Sequence, residues 1–404
     1  MSRTNTGSVD SRAGESRSAA TAGDRSLLRR MNLLAVLQHI FRSPQTISQL
    51  ADLTGLSRTA TDAVVTDLVD LGWTIAADAE PRSGAGRPAR SYRFRAELGC
   101  VIGMDIGAHK VEVQVSDLAG AVLSVVRREV SDTLGAADRV AVAVECAESA
   151  LGDAGRTMDE VWIASVGSPG VVLDGVVTHF IGLPDWQGLD LAAALRTALG
   201  CPVVVENDVN LAALAEHWIG VTQEGSSIVY VLVGNRTGAA IMIDNHLYRG
   251  FAGGAGELGA MPEAGWVTSQ EHLAGVTLDG RELSRAEIFE HAAAGAQPAV
   301  DAVEKFSQAI ATGIAAYVLA LDPEIVAVGG GITSAGAAFM EPLERHVREK
   351  AIVRMPDIRM SNLGDRSVTI GAVRLALDTV DSRLAFAVTN ASAFPTPVPG
   401  LIAS

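Results

Sequence analysis

Asn207 and Asp208 stand side by side between a β-rich run at 202–206 and a helical run at 208–218. A sugar is a ring of hydroxyls that each donate and accept hydrogen bonds. Holding one requires amides and carboxylates, because a buried polar group left unpaired costs about 1–3 kcal/mol. Asparagine offers a donor and an acceptor, and aspartate offers acceptors only. Glu257, framed by Gly253, Gly254, Gly256 and Gly259, supplies a second carboxylate. In a kinase, an aspartate placed like Asp208 also takes the proton of an attacking hydroxyl. Each acid has a plainer alternative: a helix N-cap for Asp208 and a solvated loop acid for Glu257.

A different chemistry is written near the N-terminus. Leu27, Leu28, Met31, Leu34, Leu37 and Phe41 have helical spacing, and Pro44 stops the run. Thr46 and Gln49 form a possible capping box for a second helix. Thr54-Gly55-Leu56 reads as a turn, and Ser57 as the cap of a third helix that ends at Gly72. Residues 73–76 and 91–95 look like strands around a Gly/Pro/Arg loop. Helix, turn, helix and hairpin is the winged-helix order, in which the start of the third helix meets base edges in the major groove. The residues there are Ser57, Arg58, Thr59, Thr61 and Asp62. Arg58 is the best candidate because its fork bonds bidentately. The wing tip, Arg82-Ser-Gly-Ala-Gly-Arg87-Pro-Ala-Arg90, carries Arg87 and Arg90, and a narrow minor groove attracts arginine. A dimerising helical hairpin and a solvated basic linker are the competing assignments.

The charge distribution supports this division. The 404-residue chain has net charge −15, yet residues 1–98 hold 13 Arg, no Lys and 10 acids, for +3. The remainder carries −18. Only the N-terminal part meets a phosphate backbone on favourable terms. Cys100, Cys146 and Cys201 are widely spaced, with neither a disulfide framework nor a zinc pattern. With no apolar leader in residues 1–25 and no membrane-length apolar run, a cytoplasmic protein is expected.

From Cys100 onward the pattern changes. Strands fit 101–105, 111–116, 121–126, 161–166, 202–206, 228–233, 239–243 and 325–328. Helices fit 138–151, 208–218, 301–321 and 372–384. This order implies an α/β fold with hairpins inside it. The expected division is a disordered arm at 1–25, a winged helix-turn-helix at 26–98, a sensor domain at 99–387 and a loose tail at 388–404.

Six blocks, in order, resemble the ROK family (repressors, open reading frames and kinases). Asp105-Ile-Gly-Ala-His-Lys110 resembles its first phosphate motif. Gly167-Ser-Pro-Gly170 and Leu183-Pro-Asp-Trp186 resemble its turn and the segment before its sugar site. Glu206-Asn-Asp-Val-Asn-Leu-Ala-Ala-Leu-Ala-Glu216 is similar to its central signature. Gly256-Glu-Leu-Gly259 and Val328-Gly-Gly-Gly-Ile332 resemble the remaining two. The resemblance implies a two-lobed, actin-like ATPase (ribonuclease H-like) sugar-kinase fold behind the winged helix. It also implies a sugar site at Asn207, Asp208 and Glu257, and nucleotide loops at Asp105, Gly107, Gly234, Gly238 and Gly330.

The departures are equally informative. Ala108 and His109 stand where the first phosphate motif has glycine and threonine. Asn235 and Arg236 interrupt the second loop. Ala260 replaces a histidine, no cysteine follows Cys201, and Glu271 has no clear counterpart. No zinc, and no ATP or Mg²⁺, is therefore expected as a cofactor. The expected function is a sugar-responsive repressor of carbohydrate-metabolism genes. Its partners are a double-stranded DNA operator, a sugar or sugar-derivative effector, and a second copy in a homodimer or homotetramer. An active sugar kinase is the alternative, with Asp208 as its base. A kinase-like module that binds a protein instead of a sugar is a third reading.

Overall fold

Leu33, Leu34, Leu37 and Ile40 recur at helical spacing and are buried on α1 (Arg12–Arg42). The structure, a computed structural model, describes residues 12–77, 90–180 and 182–403, with backbone alone for 12–25 and 403. α1 begins at Arg12, so from there to residue 25 the chain is helical and not the arm without structure expected from its polar composition. Its alanines favour helix once a packed helix continues it.

After Pro44, β1 (Gln45–Thr46) leads into α2 (Ile47–Thr54). Thr46 and Gln49 form the reciprocal capping box, with Thr46 N–H donating to Gln49 Oε1 at 2.8 Å. Gly55 ends α2 in the left-handed region at φ 71°, where a side chain would be strained. Ser57 Oγ accepts from the Ala60 amide at 3.2 Å and opens α3 (Arg58–Asp70). Strands β2 (Thr74–Ala76) and β3 (Ser91–Phe94) complete a three-stranded sheet of order β1-β3-β2. This is a winged helix.

The second part is two sheets of one plan. Strands β4 (Cys100–Ile106), β5 (Lys110–Asp117) and β6 (Val122–Glu129) form an antiparallel meander. Helix α4 (Ala136–Asp153) leads to β7 (Val161–Ser168), which lies parallel to β4. A small hairpin, β8 (Val171–Leu173) and β9 (Val176–His179), and helix α5 (Leu191–Leu199) precede β10 (Val203–Asn207), parallel to β7. The first sheet therefore runs β10-β7-β4-β5-β6. Helix α6 (Asp208–Ile219) passes to the second lobe.

There, β11 (Ile228–Val233), β12 (Thr237–Ile243) and β13 (His246–Leu247) form another meander. Short β14 (Thr277–Leu278) and β15 (Arg281–Glu282) pair with each other, followed by α7 (Arg285–Ala293) and α8 (Gln297–Leu321). Then β16 (Ile325–Gly329), α9 (Ala337–Lys350) and β17 (Asp357–Met360) complete the sheet β13-β12-β11-β16-β17. Helix α10 (Ser367–Asn390) returns between the lobes and crosses α6 at Gly371. A Cβ at Gly371 would lie 1.8 Å from the Leu211 carbonyl oxygen, so only glycine permits this crossing. The repeated sheet plan is the actin-like architecture. Among the described residues, no helix is long and apolar enough to cross a membrane. All three cysteines are buried free thiols.

One core joins the winged helix to the first lobe. It contains Leu37, Leu68, Trp73 and Phe94 from the head, Val101 and Trp162 from the lobe, and Val380 and Leu384 from α10. The tail belongs to it too. Phe394 and Ile402 are buried, short α11 (Gly400–Ala403) caps the end, and the Trp73 indole donates to the Pro395 carbonyl at 2.7 Å. The expectation of a loose tail is corrected: its prolines shape a segment whose sparse apolar residues fill a groove. Phe394 meets Trp73 edge-on at 6.3 Å, and Trp73 meets Trp162 at 6.1 Å. Phe394→Ala is expected to destabilise the protein by about 3–5 kcal/mol, the usual result of emptying an aromatic site. Urea denaturation measures it, and a loss below about 1 kcal/mol would show the tail to be dispensable.

Candidate functional site

The centre of the site is the junction of β10 and α6. Asn207 is the N-cap: its Oδ1 accepts from the Val209 amide at 2.9 Å and the Asn210 amide at 3.1 Å. Its Nδ2 donates to the Gly170 carbonyl at 2.9 Å, which leaves one amide hydrogen for a ligand. Asp208 is thus the first residue of the helix and not its cap. Oδ1 of Asp208 accepts from the Val209 amide at 2.8 Å. Burial pushes its carboxyl up to about 7, and the charges of Asp105 and Glu257 act in the same direction against that amide.

Glu206 is a residue that sequence reasoning missed. Its Oε1 accepts from the Asn207 amide and the Asn210 side chain, both at 2.8 Å, while Oε2 meets Arg249 Nε at 2.5 Å. It ties the end of β10 to the start of α6 and to the loop after β13. Its i,i+4 spacing to Asn210 was the available signal.

Glu257 opens a 3-10 turn, Glu257–Ala260. Gly256 precedes it at φ 97°, where a Cβ would lie 2.1 Å from the Ala239 carbonyl oxygen. The Tyr317 hydroxyl donates to the Gly256 carbonyl at 2.6 Å. Burial raises the Glu257 carboxyl, partly offset by His179 from the first lobe. Behind the turn, the Trp266 indole donates to the Ile310 carbonyl at 3.0 Å and packs on Gly313. Among the described residues, no group of His, Cys, Asp or Glu is arranged to hold a metal ion. Glu271 is exposed, and its neighbour Gln270 reaches the second loop instead, donating to the Gly234 carbonyl at 2.9 Å.

Asp105 lies near the end of β4 and pairs with Lys110 Nζ at 3.0 Å. Burial raises its carboxyl, and Lys110 opposes the shift. Gly107 and Ala108 are held from beneath by Arg139, whose guanidinium donates to their carbonyls at 2.6 and 3.2 Å. His109 is exposed. The second loop mirrors this arrangement: Gly234 N–H donates to the Arg236 carbonyl at 3.0 Å, and Arg285 donates to the Gly234 carbonyl at 3.2 Å. A Cβ at Gly238 would lie 2.9 Å from Val209 Cγ2, so this loop packs on the start of α6. Gly330, at φ 88°, turns the chain after β16. The charges of Asp105 and Glu257 both act on Asp208, so the three acids lie near one another, and the second glycine loop packs on the start of α6.

Asp208 also gives a pH prediction. Its pKa rises from 3.8 to about 7 on folding, so its protonation stabilises the fold fully below about pH 4. That contribution is lost as pH rises through 7. Asp208→Asn is thus expected to gain more than about 1 kcal/mol relative to the parent between pH 4 and pH 8. Urea denaturation at the two pH values measures it, and an unchanged difference would contradict the assignment.

In the head, Arg58 and Thr59 project from the exposed start of α3, beside Asp62. Ser57 is exposed, but its hydroxyl oxygen is used as the cap. Thr61 is corrected: it is fully buried, with its hydroxyl donating to the Ser57 carbonyl at 3.1 Å. It lies on the same stripe as Val64, Val65 and Leu68 and takes no part in a DNA-facing surface. Arg87 lies outside the described residues. Arg90 is exposed, stacked over Tyr92 at 5.6 Å. Arg93 pairs with Glu97, and Arg95 donates to the Gly72 carbonyl.

Comparison with known proteins agrees with this architecture. The ROK family model matches residues 101–272 and 267–379. The chain is 24% identical over 396 residues to a xylose repressor of Caldicellulosiruptor bescii, covering 88% of this chain and 97% of that protein. It is 26% identical over 322 residues to a glucokinase of Streptomyces coelicolor, covering 69% and 98%. Among solved structures, a ROK family transcriptional regulator, a homolog of the E. coli MLC protein, superposes with TM-score 0.71 at 20% identity. It covers 90% of this chain and all of that one. The regulators align with 88–90% of this chain and the glucokinase with 69%. With the family model matching most of its two-lobed domain, this chain belongs to the ROK family.

Proposed function

We propose that this protein is a DNA-binding repressor of carbohydrate-metabolism genes whose effector is a sugar held in the interlobe cleft. The observation that carries the reading is the approach of Asp105, Asp208 and Glu257 to one another, on a chain whose winged helix shares a core with the first lobe. Acids with raised pKa values accept from ligand hydroxyls once the cleft excludes water. The relatives named xylose repressors support an aldose as effector. Two heads on a homodimer or homotetramer would read a two-fold operator. A thermal-shift screen of the full chain against aldoses and amino sugars tests the reading: one or more should raise Tm, and no response across the panel would count against it.

The retained Asp208 and the glucokinase relatives favour a second reading, an active kinase. Phosphoryl transfer needs amides, hydroxyls and Mg²⁺ packed around nucleotide phosphates. Here Ala108 and Arg236 stand where the family motifs have glycine, and the hydroxyls of the motifs are missing at 109 and 235. ADP release with Mg-ATP and the sugars that raise Tm is expected to stay near background. Turnover in the usual kinase range of about 1–100 s⁻¹, lost in Asp208→Ala, would establish the kinase instead.

A further inference from the structure

Arg236 lies on the turn between β11 and β12 of the second lobe, and its guanidinium carbon sits 4.8 Å from the centroid of the Phe180 ring. Phe180 belongs to the first lobe: it follows β9 and packs against the core of the first sheet. A cation–π contact therefore joins the two lobes through side chains alone. The approach is close. A Cβ at Gly182 would lie 2.6 Å from Arg236 Nη2, so glycine at this position, with φ 129°, admits the guanidinium.

Both partners are held from behind. Gln270 and Arg285 donate to the Gly234 carbonyl, and the Gly234 amide donates to the Arg236 carbonyl, which fixes the base of the arginine side chain. Phe180 rests on Gly170, where a Cβ would lie 2.7 Å from Phe180 Cβ. The Gly170 carbonyl is the group that accepts from Asn207 Nδ2 at 2.9 Å. The ring is thus seated on the turn that positions an amide of the sugar site. The residue before it, His179, acts by its charge on Glu257.

The other contacts between the lobes are of two kinds. At α6 and α10 the packing is fixed: Gly371 fits against Leu211 and Gly238 against Val209, with no space for a Cβ. Elsewhere, Gly253 of the second lobe lies against the Val172 carbonyl of β8, and Arg249 pairs with Glu206. Glu206 also holds the Asn207 amide and the Asn210 side chain, so breaking that pair strands a buried carboxylate and disturbs the site. A guanidinium on an aromatic face behaves differently. It leaves no buried charge when it lifts away, and the ring quadrupole attracts it back. Helices that stay packed and a side-chain contact that opens reversibly are the parts of a hinged closure.

We propose that Arg236 and Phe180 form a latch between the lobes, and that its opening gates the passage of the sugar into and out of its site. This rests on the sugar-cleft reading above and adds to it the step that sets ligand exchange. A contact of this type shifts an opening equilibrium by about threefold to thirtyfold. A gate acts on entry and exit alike, so its removal raises both rates and moves the dissociation constant little. A ligand contact acts mainly on exit and weakens affinity by the same factor.

The test has two arms, both on the full chain. In the first, spin labels at Glu148→Cys on α4 and Glu290→Cys on α7 report the distance between the lobes by pulsed electron resonance, with no sugar added. Both positions are exposed, and the three native cysteines are buried. A population at longer distance should grow in Arg236→Ala and in Phe180→Ala, and the double variant should open no further than either, because one contact is lost in each case. Phe180→Trp, which keeps the aromatic face, should stay as the parent, whereas Phe180→Leu should open. In the second arm, stopped-flow fluorescence follows D-xylose, D-glucose and N-acetyl-D-glucosamine. For a sugar that binds, Arg236→Ala should raise association and dissociation rates together by about threefold to thirtyfold. Distances that match the parent in every variant would overturn the latch, whichever sugar binds. A faster dissociation with unchanged association would also overturn it and make Arg236 a ligand contact. No binding by any of the three sugars would count instead against the sugar-cleft reading, and the distances would still decide the latch.

Discussion

Asp208→Ala is expected to abolish the rise in thermal stability that a sugar effector gives the parent protein. At ligand one hundred times its dissociation constant, that rise corresponds to about 2.7 kcal/mol. The loss should be nearly complete because the proposed site relies on Asp208 for the ligand, while the fold asks little of it. Among the described residues its side chain accepts from the amide of the next residue, and Asn207 already caps that amide. Removing the carboxylate also relieves repulsion from Asp105 and Glu257, so the unliganded variant should be no less stable than the parent at neutral pH. That combination, a firm fold with no ligand response, distinguishes a binding residue from a structural one. Differential scanning calorimetry with and without the sugar reads both. A variant that still gains the full shift would remove Asp208 from the site.

The second large effect belongs to the head. Arg58→Ala is expected to weaken operator binding by about 1–3 kcal/mol, the range for losing a bidentate contact to a base. Arg58 is exposed at the start of α3, and its neighbours Thr61, Val64 and Val65 face the core, so the substitution leaves the packing intact. Binding should also fall steeply with salt in the parent, because phosphate contacts release counterions. Deleting the head is a poorer experiment. Trp73 would leave Trp162, Phe394 and α10 exposed, and the lobe would lose part of its core. Fluorescence anisotropy on the cognate site at several salt concentrations gives the result. Unchanged affinity in Arg58→Ala would show that another surface of the head reads DNA.

What was legible in the sequence was mostly local. The capping pair Thr46 and Gln49, the Ser57 cap and the Gly55 stop are short-range signals, and each sits where its chemistry placed it. Thr61 was misplaced although the evidence was present: three and four residues before Val64 and Val65, it falls on their buried stripe. The hairpin at 171–179 was passed over despite Asp174-Gly175, a strong turn signal. Strand β1 has two residues and no pattern to detect. The tail was unreadable for a different reason: Phe394 and Ile402 are isolated apolar residues, and the ring partner of Phe394 is Trp73, at the far end of the chain. Asn207, Asp208 and Glu257 were singled out from residue type, spacing and the family resemblance. Their shared field with Asp105 depends on the lobes closing on one another, which no local pattern records.

The most direct test of the account is operator affinity measured with and without the stabilising sugar, in the parent, in Asp208→Ala and in the double variant Asp208→Ala, Glu257→Ala. The account predicts that the ligand shifts operator affinity in the parent and leaves both variants unmoved, while all three bind the operator without ligand. A full ligand response retained by the double variant would contradict it, because the signal would then enter the protein somewhere other than this cleft.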